Sequence, residues 1–155
     1  MLFVQFTLGA ERYLLDSAQI ERMLPLAPLK SLPGMPPWVA GLFDYGGEPV
    51  PVMDLSALAL GVRSRERLST RLALVHYPHA TPDGVVPRRL GLLVEQATRT
   101  VSFDARAFRD PGIDTPHARY LGPVAHDAHG LAQWVRVEHL LPAGVQAQLF
   151  TASAA

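Results

Sequence analysis

The chain has 155 residues, with 14 Lys and Arg balanced by 14 Asp and Glu, and it contains no cysteine. This length favours one domain or two closely fused small ones, and it is enough to bury a core that needs no disulfide. Balanced charge makes nucleic acid and anionic membranes poor partners, and the absence of cysteine excludes thiolate chemistry. Because charged residues make up only 18% of the chain, we expect another protein to cover part of its apolar surface.

The first residues predict a hairpin of two strands. Leu2 to Leu8 alternates between apolar and polar side chains, Gly9-Ala10 provides a turn, and residues 12–15 return as the second strand. No basic region precedes this stretch, and no apolar run is long enough to span a bilayer. The sequence therefore predicts neither a signal peptide nor direct membrane insertion, and we expect a cytoplasmic protein.

A capping-box pattern begins at Asp16, with Gln19 three residues later. The pattern predicts a short amphipathic helix in which Ile20 and Met23 share one face. Pro25 ends the predicted helix, because proline cannot continue its hydrogen bonding.

The stretch GLFDYGGEPVPVMDLSALAL organises the middle of the chain. Apolar runs on both sides of the double glycine at 46–47 predict a β-hairpin, because glycine supplies the positive φ of a tight turn. Pro49 and Pro51 lie on one edge of the second strand, where a missing N–H is tolerated if it faces solvent or a bulge. Asp54 then caps a short helix, and Gly61 stops it.

The rest of the chain predicts short strands between Gly- and Pro-rich turns. A solvated basic loop is expected at 63–71 and a surface loop at 78–88. Strands are predicted at 71–77, 90–95, 98–103, 120–124 and 131–137, and short helical segments at 138–141 and 144–150. Nine or ten short strands indicate a mostly β sandwich or barrel. A weak internal repeat, Gly47 to Leu55 against Gly130 to Leu141, favours two similar β subdomains.

No constellation of residues predicts catalysis. The sequence has no glycine-rich phosphate loop and no GxSxG motif. The second of two HxxH pairs, His126 and His129, brackets Asp127, a possible third metal ligand. A small β-barrel ligand- or metal-binding protein therefore stays open as an alternative, although we expect no enzyme activity, no cofactor and no metal.

Several segments, in order, resemble the CheW family of chemotaxis adaptors. FTLGAERYLLD is similar to the first strand pair of that family. GMPPWVAG and GLFDYGGEPVPVMDL resemble its glycine, its Asn-Leu-Arg-Gly turn and its Pro-Val-x-Asp-Leu motif. LGLLVEQATRTVSF resembles a later strand pair, and ARYLGPVAHDAHGLAQWVRVEHLL the closing segment. The runs PLAPLKSLP, WVAG, LSALALG and LSTR look most like the Wsp-type surface-sensing adaptors of the family.

The resemblance implies two small five-stranded SH3-like β-barrel subdomains packed together, with short helices. They would form a single domain over residues 1–150, followed by a frayed tail at 151–155. It also implies a non-catalytic adaptor that couples the signalling tip of a methyl-accepting receptor to the regulatory domain of a CheA-type histidine kinase. Such an adaptor would be recruited from the cytoplasm to membrane receptor arrays.

The resemblance places a receptor-facing surface on the predicted first helix and the hairpin. Its residues are Ile20, Arg22, Met23, Val39, Gly41, Asp44, Tyr45 and Gly46. Asp44 replaces the Asn of the family turn and Gly46 replaces its Arg, which removes a guanidinium able to donate directional hydrogen bonds. Arg22 stands where an acid is common. An adaptor that folds but is impaired at this surface is therefore a further possibility.

Four more residues match the family pattern and have sufficient structural reasons of their own. They are expected to serve as turn, strand edge, helix cap and core, and they are Gly47, Pro51, Asp54 and Leu55.

Overall fold

The computed structural model describes residues 1–151 and consists mostly of β-strands. Its nine strands are β1 (Leu2–Leu8), β2 (Glu11–Asp16), β3 (Ile20–Pro25), β4 (Val39–Tyr45), β5 (Glu48–Asp54), β6 (Arg71–Thr81), β7 (Gly84–Ser102), β8 (Leu121–Asp127) and β9 (Gly130–Val135). Its helical elements are α1 (Leu55–Leu60), α2 (Ala143–Leu149) and 3-10 turns at Ser17–Gln19, Ala105–Ala107 and Val137–His139. Within residues 1–151, no helix combines the length and the apolar character needed to cross a membrane. Apart from Thr151, the predicted frayed tail lies outside the described residues.

Strand β7 is the longest and takes part in two sheets. Up to Val94 it pairs antiparallel with β6, at Gly91–Leu93 it also pairs parallel with β5, and from Glu95 onward it pairs with β1. The first half of the molecule has the strand order β3-β6-β7-β5-β4, and the second half has the order β7-β1-β2-β9-β8. The predicted mostly β fold with five strands in each subdomain is confirmed. Within the described residues, strand pairing does not close either sheet into a complete barrel.

The hydrophobic core runs from one half into the other. Strand β1 shows how, because its alternate side chains enter two different clusters. Val4 and Phe6 join a large cluster with Val75 and Leu90 from the first half. Phe3 points to the other side and packs into a smaller cluster within the second half. The two halves are therefore held together by continuous apolar packing.

The helix predicted to begin at Asp16 is wrong. Asp16 caps only the 3-10 turn at Ser17–Gln19, and the chain then continues as β3 beside β6. The strand register is irregular between Ile20 and Arg22. Such a bulge lets Ile20 and Met23, three residues apart, both pack against the core. In a bulged strand, two residues three positions apart can therefore face the same side, which is also the spacing of residues on one face of a helix.

The surface loop predicted at 78–88 is also wrong. Strands β6 and β7 continue through it as a two-stranded ribbon, in which Pro78 lies opposite Pro87. The ladder to β3 reaches only to Val75, and the ladder to β5 begins at Gly91. Because the ribbon extends beyond both neighbouring strands, its prolines interrupt no ladder with a third strand.

Candidate partner-binding surface

The hairpin of β4 and β5 forms as predicted and provides the centre of the candidate surface. Gly46 and Gly47 have φ values of 60° and 93° and make a two-residue turn between the paired residues Tyr45 and Glu48. The side chain of Asp44 accepts a hydrogen bond from the Gly47 N–H at 2.8 Å. Positive φ at both turn positions favours glycine, so the turn presents backbone rather than side chains to a partner.

Two of the predicted surface residues, Val39 and Gly41, are buried. Gly41 has a φ of 144°, and a Cβ at this position would lie 2.3 Å from the carbonyl oxygen of Lys30. The absence of that Cβ permits two reciprocal backbone hydrogen bonds between Lys30 and Leu42, each 2.8 Å long. Gly41 therefore supports the hairpin through its backbone, and Val39 lies at the start of β4, at the other end of the strand from the turn.

The other three predicted residues of this surface lie on β3, the outer strand beside β6. Ile20 and Met23 are half-buried and pack against the large core cluster, whereas Arg22 is exposed. Of these three residues, Arg22 alone is therefore exposed.

A charged network that the sequence did not indicate crosses all five strands of the first half. Arg89 of β7 donates hydrogen bonds from Nε to Glu21 of β3, at 2.8 Å, and from Nη1 to Glu48 of β5. The guanidinium Cζ lies 5.3 Å from the ring centroid of Tyr45 on β4, and the Tyr45 hydroxyl donates to Glu21 at 3.1 Å. His76 of β6 lies 3.5 Å from Glu21. We call these five residues the charged end.

The charged end connects two strands that are not neighbours in the sheet. Strands β3 and β4 are the outer strands of the first half, yet the Tyr45 hydroxyl reaches Glu21. The sheet must therefore curl until its edges approach each other. Arg89 lies two residues before Gly91. A Cβ built on Gly91 would lie 2.8 Å from the side chain of Val52, so this face of β7 is the inner face of the curled sheet. Strand alternation thus aims Arg89 at the open end of the curled sheet.

Hydrogen bonds within the charged end favour the ionised forms of Glu21 and Arg89. The hydrogen bond from Arg89, assisted by one from Tyr45, holds the pKa of Glu21 below its ordinary value. Bonds to Glu21 and Glu48 raise the pKa of Arg89. The side chains remain partly open to solvent, with exposed fractions of 22% for Glu21, 37% for Arg89 and 49% for Glu48. The network is therefore fixed in geometry and still accessible to another molecule.

The four family-pattern residues have structural roles. Asp54 is buried and caps α1 by accepting hydrogen bonds from the N–H groups of residues 56 and 57, at 3.0 and 3.2 Å. It also accepts bonds from the hydroxyl and the N–H of Ser64, which the sequence did not predict. Leu55 is 2% exposed in the core, Pro51 is buried within β5, and Gly47 forms the turn. Pro51 lies opposite Leu42 in the ladder between β5 and β4.

A groove of about 800 Å³ opens at the opposite end of the first half. It lies between the segments 26–31 and 63–68, beside the start of β4 and the end of β5. Leu26 and Leu29 make one wall apolar, the rim carries three arginines (Arg63, Arg65 and Arg67) with Glu66 among them, and Leu68 is 92% exposed. We call it the basic groove. The seven residues of β4 separate it from the charged end by roughly 20 Å.

The residues of the alternative metal site are engaged in other contacts. Both carboxylate oxygens of Asp127 accept hydrogen bonds from Arg12, at 2.6 and 3.1 Å, and one also accepts the N–H of His129. Arg12 thereby lowers the pKa of Asp127. Nowhere in residues 1–151 do three His, Asp or Glu side chains converge as metal ligands would. Asp127 acts instead as an anchor that ties the β8–β9 hairpin to β2.

The comparisons with known proteins cover almost the whole chain. Residues 2–144 match the family model described as the CheW-like domain. The chain belongs to the CheW-like domain family. A solved structure, the crystal structure of scaffolding protein TtCheW from Thermoanaerobacter tengcongensis, has a similar fold with a TM-score of 0.77. The two share 18% sequence identity, and the alignment covers 91% of this chain and 87% of that chain. No curated protein matches the sequence.

The CheW-like match begins in β1 and ends at the start of α2. It therefore includes both halves of the molecule, and the charged end and the basic groove both lie inside it. At this identity, the likeness to the solved scaffolding protein shows the fold alone.

Proposed function

We propose that this CheW-like chain is a non-catalytic signalling adaptor that couples methyl-accepting receptors to a CheA-type histidine kinase, with residues 1–150 acting as one unit. The observation that carries the proposal is the presence of two separate candidate surfaces at opposite ends of one curled sheet. An adaptor must hold two partners at once, so it needs two surfaces that do not overlap. The charged end and the basic groove meet this requirement.

We assign the receptor to the charged end and the hairpin turn beside it. The family resemblance points to this side of the first half, and here the exposed residues Arg22 and Asp44 neighbour Glu21 and the half-buried Tyr45 of the fixed ion network. Fixed charges favour one orientation of a partner and discourage partners of the wrong charge pattern. The glycine turn leaves room for a partner helix to approach closely.

We assign the regulatory domain of the kinase to the basic groove. The groove combines an apolar wall at Leu26 and Leu29 with Arg65 and Arg67, and the fully exposed Leu68 stands at its rim. An exposed leucine next to arginines is suited to a partner surface that carries apolar and acidic side chains. Because this surface lies away from the charged end, both partners can bind together.

The adaptor would act without a chemical step of its own. Each contact is expected to be modest in area, and repeated contacts in a receptor array would strengthen the assembly. Control of the kinase then follows if the adaptor binds one array geometry more tightly than another, which shifts the population toward that geometry. The adaptor would be recruited from the cytoplasm to the receptor arrays at the membrane.

Within the family, we propose a Wsp-type surface-sensing role. The runs PLAPLKSLP and LSTR, which resemble that group, lie in or next to the segments that form the basic groove. The group resemblance therefore concerns the surface assigned to the kinase, which is where adaptors of different pathways would need to differ.

Co-sedimentation with assembled receptor signalling fragments, and separately with the kinase regulatory domain, tests the proposal. The wild-type chain should bind both partners. Arg65→Glu combined with Arg67→Glu should weaken kinase binding by about tenfold or more and leave receptor binding unchanged. Arg99→Glu, a charge reversal at an exposed position of the second half, is the matched control and should bind both partners normally. Failure of the wild-type chain to bind either partner would refute the adaptor function.

A further inference from the structure

We infer that Arg89 supplies the receptor-facing guanidinium that this chain lacks at Gly46, and that it donates to a carboxylate or backbone carbonyl of the receptor tip. The inference rests on the proposed function and names the residue that carries recognition at the charged end. The family pattern puts an arginine in the hairpin turn. In this chain the corresponding group comes from a different strand.

The position of Arg89 fits this role because it lies against both sides of the turn. Its guanidinium covers the ring of Tyr45, which precedes the turn, and bonds to Glu48, which follows it. Gly46 and Gly47 have no side chains, and a Cβ built on either would meet no atom within 4 Å. The space beside the turn is therefore open, and the Arg89 side chain is 37% exposed.

The orientation of Arg89 is fixed before any partner arrives. Nε is held by Glu21 at 2.8 Å and Nη1 by Glu48, while the Tyr45 ring supports one face of the planar group. Within residues 1–151, no protein acceptor bonds to Nη2. A guanidinium carries five N–H donors in a rigid fork, so donors remain free in a fixed direction. Binding a partner then requires little further ordering of the side chain.

The neighbouring Arg88 shows that the arrangement is specific to one position. Strand alternation turns Arg88 to the other face, where its guanidinium lies 5.1 Å from the ring centroid of Phe150. Loss of Arg88 removes the same charge and a similar aromatic contact, but at a site away from the hairpin turn. Arg88→Ala is therefore the matched control for Arg89→Ala.

The experiment measures binding of four variants to a purified coiled-coil signalling fragment of a methyl-accepting receptor from the same genome. Arg89→Ala should bind about tenfold more weakly than the wild type, which is the scale of losing one anchoring arginine. Arg88→Ala should bind as the wild type does. Gly46→Arg combined with Arg89→Ala should recover most of the lost affinity, whereas Gly46→Arg alone should gain less than about twofold, because the guanidinium is already provided.

Thermal unfolding of each variant separates loss of binding from loss of folding. If Arg89→Ala melts like the wild type and binds the fragment equally well, the inference is overturned while the adaptor function stands. If the double variant is folded and recovers no affinity, Arg89 acts only by holding strands together, and the inference is again overturned. If the wild-type chain itself binds no receptor fragment, the proposed function fails as well, so the two failures are distinct.

Discussion

The two halves of the molecule contain five strands each, with β7 shared between them, but they differ in the side chains that they bring together. The second half packs an aromatic cluster in which Phe3 contacts Phe108 and Trp134, with ring centroids 5.3 and 5.2 Å apart. The first half instead ends in the charged end on one side and the basic groove on the other. Under the proposed function, the first half carries the surfaces for recognition, whereas the aromatic cluster of the second half contributes to stability. Substitutions in the two halves should therefore separate folding from binding.

The largest effect is expected for Phe3→Ala. Phe3 is completely buried and contacts three other aromatic rings, so its removal leaves a cavity that should cost about 3–5 kcal/mol of unfolding free energy. Phe43→Ala is the counterpart in the first half, where the ring is half-buried beside Tyr45. Denaturant unfolding should show less than half the loss for Phe43→Ala. Equal losses of unfolding free energy in the two variants would show that the second half does not depend on aromatic packing more than the first half does.

Gly41→Ala should have the next largest effect, because the backbone of Gly41 lies directly against the backbone of Lys30. A Cβ would meet the Lys30 carbonyl at 2.3 Å, and the φ of 144° is unfavourable for alanine. We expect a loss of roughly 2–3 kcal/mol in urea unfolding. Gly144→Ala in α2, where a Cβ meets nothing within 4 Å, is the control and should be neutral or slightly stabilising. A harmless Gly41→Ala would show that the Lys30–Leu42 bridge is dispensable.

Asp127→Asn should have a moderate effect that depends on pH. Arg12 lowers the pKa of Asp127 in the folded state, so the ion pair contributes stability above the unfolded pKa of about 4 and loses it as pH falls through the lower folded value. At pH 7 the variant should lose about 1–2 kcal/mol. Melting curves should show this difference shrinking as the pH falls below about 4. A difference that is constant with pH would contradict the ion-pair account.

The smallest effect on stability is expected for Glu48→Gln at the charged end. The ion pair with Arg89 is largely exposed, and such pairs add little to folding. The unfolding midpoint should therefore change less than it does for Asp127→Asn. Receptor binding should weaken, however, because Arg89 loses one of the two acceptors that fix it. A large loss of stability would assign the charged end to folding rather than to recognition.

The sequence predicted best those elements that local chemistry determines. The Gly46-Gly47 turn, the Asp54 cap and the αL conformation of Gly61, with a φ of 72°, are all present as expected. Each depends on residues within a few positions of one another. The same holds for the first hairpin, where alternation and the Gly9-Ala10 turn suffice.

The sequence failed where distant strands decide the outcome. The bulge between Ile20 and Arg22 arises from pairing with β6 and cannot be read from local spacing. The charged end joins Glu21 to Arg89, which are 68 positions apart. The only local signal was the Arg88-Arg89 pair before an apolar run, and such a pair is equally consistent with a solvated strand end. Likewise, the Arg12–Asp127 ion pair depends on parallel pairing of β2 with β9.

A bridging experiment tests the central claim most directly. The kinase regulatory domain is sedimented with assembled receptor signalling fragments, with and without the chain, and the amount of kinase domain in the pellet is measured. If the molecule works as an adaptor with two independent surfaces, it should raise the pelleted kinase domain severalfold, and the combined Arg65→Glu and Arg67→Glu variant should itself pellet while leaving the kinase domain in solution. The account is contradicted if the chain sediments with the receptor fragments and the kinase domain stays in the supernatant at the level seen without it.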